Sequence, residues 1–292
     1  MILIITLIGH LAYGITNPLW KSPAQKVGTF PLVMIRSLGC LLIFLLLFLF
    51  SEYFGYGKNY KLSANLFVEA FVLCCLNSLG LIFFIKSLQH GEVSTVIGLN
   101  KLNIIIGFVI AFLFRGEEIT KGKILLGLVV ALGIYLVDQN RNNKIGDFKP
   151  SKSFFYIFLS RFFWGTFFLL IPYIKDFGIL LFCIVLESAV FTTSSIFYVF
   201  SNKKFNFESI QKRTIIEILF LILLGCIGTV CLNFALAKMG IFLFAIIALI
   251  EPAIGLTFSK FYYKEKLEFQ KILGIFISVV AVIIYQIYNS FK

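Results

Sequence analysis

Residues Glu265–Tyr285 read EKLEFQKILGIFISVVAVIIY, and residues Glu118–Tyr135 read EITKGKILLGLVVALGIY. In each, a Glu is followed nine residues later by a Gly (Gly274 and Gly127) inside a KILG or KILLG run. An apolar segment of helix length then closes the stretch. One copy lies at the end of the chain and the other near its middle. Working outward, the two halves keep matching. The first apolar segment of each carries an aromatic–Gly pair, Tyr13–Gly14 and Trp164–Gly165. Each of those segments ends in Pro–apolar–apolar–Lys, at Pro18–Lys21 and Pro172–Lys175.

The composition says what such a duplicated unit is made of. Of 292 residues, 60% are apolar, 17% aromatic and 14% charged, with a net charge of +12. Mean hydropathy is +0.97. A soluble domain is about 45–50% apolar and about 25% charged, so an ordinary soluble enzyme, a disordered chain and a fibrous protein are excluded. Ten apolar segments can be marked: Ile2–Trp20, Phe30–Phe50, Ala64–Ile85, Ser94–Phe114, Ile119–Val137, Ser153–Ile174, Gly178–Phe200, Thr214–Ala237, Gly240–Ser259 and Ile272–Asn289. At about 20 residues per span they leave room for connectors and tails but for no separate soluble domain. Open strands in lipid would leave backbone groups unpaired, so the segments read as helices.

The expected fold is therefore an all-α, polytopic membrane protein of ten transmembrane helices. Residues 1–137 form a first five-helix repeat, 138–152 (DQNRNNKIGDFKPSK) a polar linker, and 153–292 a second repeat. Five is odd, so the second copy enters the membrane inverted. Inverted repeats with a site at the midplane recur among secondary transporters. Lys and Arg concentrate on the connectors after helices 1, 3, 5, 7 and 9, which by the positive-inside tendency puts both termini outside. Basic loops on such a chain answer to topology and anionic lipid, not nucleic acid. The six cysteines all fall inside apolar segments and read as small core hydrophobes. No metal-ligand spacing, phosphate loop or cofactor motif is present. Trp20 and Lys21 read as an interfacial anchor.

The run LIEPAIGLTFSKFYYKEKLEFQKILGIFISVVAVIIY, Leu249–Tyr285, resembles the closing signature of the drug/metabolite transporter superfamily, EamA-like group. The matching residues are Glu251–Pro252, Glu265 and Gly274, with Glu118 and Gly127 repeating the later part in the first half. Ile105 stands where a first-half proline would fall. The resemblance implies movement of small organic metabolites, commonly outward, and both termini in the cytoplasm. That placement is the reverse of the charge count, so orientation stays open.

Ionisable groups at depth cost roughly 2.5–3.5 kcal/mol each and usually face a cavity or a partner. The deep set is Arg36, Lys101 and Arg161 against Glu69, Glu187 and Glu251, with His10 in helix 1. The balance of signs suits pairs that hold helices together, and it equally suits a lined cavity. Pro252 cannot donate a backbone hydrogen bond and is expected to break helix 9, leaving the Ala248 carbonyl and Glu251 open to a cation, a proton or an amine. The alternative is a harmless kink. Asn100, Lys101 and Asn103 in helix 4 fall at the corresponding depth, as substrate ligands or as interhelical hydrogen bonders. Arg36 and Glu187 occupy matching points of the two repeats, as a gate or a permanent structural pair. His10 and Arg161 match by the same offset and are expected to line the cavity. Tyr13 and Trp164 either close over a ligand or pack, with Gly14 and Gly165 easing helix approach. Glu217 is expected to snorkel, and Glu117, Glu118 and Glu265 to serve as turn features.

The chain is thus expected to be a secondary transporter of a small polar metabolite, an amino-acid-like zwitterion or organic anion. It would work in the cell (inner) membrane by alternating access, as exporter or exchanger, coupled to a proton or a counter-solute. The alternative is a flippase or flippase subunit for a lipid-linked headgroup. Two histidines, His10 and His90, leave little for an intramembrane enzyme to use.

Overall fold

In the computed structural model the described residues are 1–54, 60, 63–99, 152–201, 211–238, 250–266 and 269–290, with isolated positions between 113 and 133 and between 244 and 248. Among them every regular element is helical. The first half contributes α1 (Ile2–Leu19), α2 (Lys21–Val27), α3 (Thr29–Tyr53), α4 (Ala64–His90) and α5 (Val93–Gly98). The second contributes α6 (Lys152–Gly165), a 3-10 turn (Thr166–Leu170), α7 (Ile171–Phe177), α8 (Ile179–Phe200), α9 (Lys212–Lys238), α10 (Ile250–Tyr262) and α11 (Phe269–Ser290). Among the described residues, α1, α3, α4, α8 and α9 are each long and apolar enough to cross a membrane.

The packing repeats itself. Helix α1 lies on α9 as α6 lies on α4, and α3 meets α9 as α8 meets α4. The equivalent helices α3 and α8 pack on each other, as do α5 and α10. Helices α3 and α8 run antiparallel. Phe30 at the start of α3 stacks on Phe197 at the end of α8. At the opposite end a Cβ on Gly178, just before α8, would touch Tyr60, just beyond α3. Gly28 (φ 90°) and Gly178 (φ 71°) play the same part in each half, joining a seven-residue helix to the next long one through a backbone that L side chains rarely adopt.

On this frame the Arg36–Glu187 pair has a special place. The two residues are 151 positions apart, equivalent by the repeat, and Arg36 Nη1 donates to Glu187 Oε1 at 2.5 Å. Two equivalent residues can touch only where the relating axis passes between them. Both are buried, at 5% and 2% exposure. Gly225 on α9 makes the space, since a methyl there would stand 2.5 Å from Arg36 Nη2.

A second matched device flanks the axis. Helices α4 and α9 are both 27 residues long, and Gly80 and Gly228 occupy the same position within them. The Trp164 ring lies against Gly80 and the equivalent Tyr13 ring against Gly228.

One end of the bundle is tied across the halves by polar contacts. Glu265 accepts the backbone N–H groups of Val93 and Ser94 at 2.8 and 2.9 Å. Lys21 donates to the Gly91 carbonyl and lies 3.7 Å from Glu265. Tyr263 donates to the Pro18 carbonyl. Ser22 and Tyr262 donate to Glu217 at 2.8 and 2.6 Å.

Several expectations are corrected here. Glu217 does not snorkel: it is 4% exposed and held by Ser22, Tyr262 and Arg213. Glu69 is exposed on the helix surface and accepts from the Tyr173 hydroxyl. Trp20 is buried, because α1 runs almost directly into α2 and carries it inward. Ser153–Ile174 is not one helix. Pro172 has no N–H to continue the ladder, and the chain tightens into the 3-10 turn ahead of it.

Removing one partner of the axial pair strands the other as a buried charge. Arg36→Met or Glu187→Leu alone should therefore lose about 3–5 kcal/mol in detergent unfolding, and the double variant should recover most of it. Gly80→Ala puts a methyl 2.5 Å from the rigid indole, against 3.2 Å from the Tyr13 ring for Gly228→Ala. The first should lose about 1–3 kcal/mol and the second clearly less, read by the same melts.

Candidate functional site

A cavity of about 270 Å³ lies between the two halves. Its lining includes His10, Tyr13, Arg36, Trp164, Glu187 and Glu251, all singled out above. The walls therefore come from both repeats, with the axial pair on its surface.

The spacing on α1 explains how two of these side chains are aimed. Residues four apart share a helical face. Gly9 and Tyr13 face α9, where a methyl on Gly9 would meet Leu232 at 2.7 Å and the Tyr13 hydroxyl meets Thr229 Oγ1 at 2.8 Å. His10 and Gly14 face α10, where a methyl on Gly14 would meet Ile254 at 2.8 Å. That close approach brings His10 Nδ1 within 2.6 Å of Glu251 Oε1. His10 is 1% exposed, and its ring tilts against Phe244 with centroids 5.0 Å apart.

Glu251 stands in the first turn of α10, where the helix end favours a carboxylate. Pro252 follows at a position whose N–H would have no intrahelical partner anyway. The expected open carbonyl is not there, since Ala248 accepts the Glu251 N–H at 3.3 Å. What this end of α10 offers the cavity is the carboxylate.

Arg161 does not line the cavity. It sits one layer behind, fully buried, with its guanidinium carbon 4.7 Å from the Trp164 ring centroid and 5.1 Å from that of Phe84. Trp164 is thus the wall between Arg161 and the open space. Asn100, Lys101 and Asn103, with Glu117 and Glu118, lie outside the described residues. Gly255 on α10 approaches Ile97 on α5, so the described parts of helices 4 and 9 do meet.

Sequence reasoning missed Thr229, Asn233, Asn17 and Asn77, which add hydroxyl and amide groups to the lining, and Trp20. Short polar residues in apolar segments are too common to stand out. Their only signal was position, one helical face shared with a glycine. Three lining residues carry buried polar atoms with no hydrogen-bond partner among the described residues: His10 Nε2, Arg36 Nε and Glu187 Oε2. Among the described residues no cluster of metal-ligating side chains occurs.

The comparisons agree with this architecture. A solved structure described as "Crystal structure of protein" superimposes with a TM-score of 0.66 at 11% identity, over 95% of this chain and 94% of that one. At that identity the likeness concerns the fold. No curated protein matches. The family model for the EamA-like transporter family matches twice, over residues 1–138 and 151–286, one match to each repeat. With nearly its whole length so matched, the chain belongs to the EamA-like transporter family of multi-pass membrane transporters.

Proposed function

We propose that the chain is a secondary transporter of a small polar metabolite, an amino-acid-like zwitterion or an organic anion. It works in the cell membrane by alternating access, as an exporter or exchanger coupled to a proton or a counter-solute. Its ten membrane helices form two inverted five-helix repeats. The observation that carries this reading is the central cavity between the repeats, lined by both signs of charge.

The size supports a metabolite. Ligand pockets run from about 300 to 1,000 Å³, and 270 Å³ lies just below that range. An amino acid or short organic acid suits it better than a headgroup with its lipid. In this reading Glu251, steadied by His10, receives a cationic group of the solute. Tyr13 and Trp164 form the aromatic sides against which its carbon skeleton packs. Alternating access then requires the polar ties at one end, Glu265 with α5 and Glu217 with α2, to open and reform.

Ligand that binds only the folded state stabilises it by about 2.7 kcal/mol at a hundred times its Kd. Thermal unfolding of the detergent-purified protein should shift upward with one class among amino acids, organic acids, nucleosides and lipid headgroups. A soluble class is expected, with the shift lost in Glu251→Gln, and the same compound should exchange across proteoliposomes. A response to lipid headgroups alone would move the assignment to a flippase.

A further inference from the structure

Lys86, near the end of α4, is a cation surrounded by rings. Its ammonium stands 5.1 Å from the ring centroid of Phe30 on α3, 5.9 Å from that of Phe83 on α4 and 5.8 Å from that of Tyr156 on α6. Phe83 stacks on Tyr156, and Phe30 stacks on Phe197 of α8. Four helices, two from each half, thus build one aromatic surround. Among the described residues no carboxylate pairs with Lys86 or acts on its charge, and no oxygen accepts a hydrogen bond from it. Ring faces attract a cation. They supply no oxygen to the three N–H donors of an ammonium.

Depth says what lies beside this group. Phe30, Lys86, Tyr156 and Phe197 each fall within five residues of a helix end. These ends share one side of the bundle, where Ser153 at the start of α6 donates to the Ser87 carbonyl of α4. At 1.5 Å per residue α4 runs about 40 Å, against a hydrocarbon core of about 30 Å. Lys86, about 6 Å in from the end of α4, therefore sits where acyl chains give way to headgroups. Aromatic rings, and lysines with their stems along apolar surface, collect at that level. The surround also opens outward. Phe197 is 41% exposed, and Phe155 and Phe158 on α6 are 57% and 48% exposed. Lys152, one turn before Tyr156, is exposed as well.

We propose that this patch docks an anionic phospholipid, with the lipid phosphate on the Lys86 ammonium and an acyl chain against the exposed Phe197 ring. The phosphate supplies the oxygen acceptors that the side chains around Lys86 do not. A second copy of the protein suits the face less well, because a two-fold contact would set Lys86 and Lys152 against themselves. Since the rings come from both halves, the bound lipid fastens the first repeat to the second at this end.

The full-length protein, purified in detergent and stripped of lipid, would be titrated with phosphatidylglycerol and with phosphatidylcholine of the same chains. Native mass spectrometry would count bound lipids and protein copies, and thermal unfolding would read their effect. Phosphatidylglycerol should bind about fivefold more tightly, the preference that one basic residue at a membrane surface confers, and should raise the melting temperature. Lys86→Met should bring the two lipids to parity and leave the lipid-free melting temperature unchanged. Lys152→Met, which removes a charge outside the ring surround, should keep most of the preference.

Equal binding of the two lipids by the unaltered protein, a preference that survives Lys86→Met, or an equal loss in Lys152→Met overturns the proposal. So does a sharp fall in the lipid-free melting temperature of Lys86→Met, which would make the ring-bound ammonium a structural plug. Inorganic phosphate that reproduces the whole stabilisation would reduce the patch to a free-anion site and overturn the lipid as its occupant. A dimer that Lys86→Met or added lipid disperses would give the face to a second copy and overturn it too.

Discussion

A charge in the middle of an apolar bundle is tolerable only where it is answered, and Arg36 and Glu187 answer each other where the equivalent helices α3 and α8 meet. Much of the arrangement follows from that contact. The pair needs α3 and α8 antiparallel and close, and it needs α9 to present a bare Gly225 beside the guanidinium. With α3 and α8 crossing at the axis, α4 and α9 pack on their flanks. Helices α1 and α6 are then carried to the outside of those two.

The cavity is a by-product of this geometry as much as a designed pocket. Helices that lean on an axial ion pair cannot also close over it with aliphatic side chains, because Arg36 Nε and Glu187 Oε2 keep hydrogen-bonding capacity that apolar groups would strand. Aromatic rings do the filling. Tyr13 and Trp164 lie against Gly228 and Gly80, each ring occupying the place of a missing side chain. The walls are thereby rigid where rings meet glycine and polar where the repeats meet each other. A site for small polar solutes can be sustained in lipid on those terms.

The duplication was legible because a Glu, a Gly and a KIL(L)G run are rare enough to be noticed twice. Four of the cavity residues, His10, Arg36, Glu187 and Glu251, were legible for an energetic reason: ionisable groups in apolar spans are costly and so stand out. The same reasoning misjudged Glu217. Depth counted along a helix says nothing about what the neighbouring helix offers. Glu217 is buried because Ser22, Tyr262 and Arg213 converge on it, the first of them from the opposite half. Arg161 was placed in the cavity wall, and it stands behind because Trp164, three residues on, takes that place. The Ala248 carbonyl is not open, because the Glu251 N–H three residues on occupies it. Glycines were the least legible. Gly80 and Gly228 look alike in sequence to Gly14 and Gly165, and only the rings opposite them give them a role.

The axial pair also limits how such a molecule can be put together. Two copies of the first half brought around the same axis would set Arg36 against Arg36, and two copies of the second would set Glu187 against Glu187. Like charges forced together at an interface cost several kcal/mol. Only first-with-second is neutral there. An assembly of identical subunits can place no residue opposite its own opposite, so this contact is open only to a chain whose halves have become different. The two halves are accordingly no longer exchangeable parts.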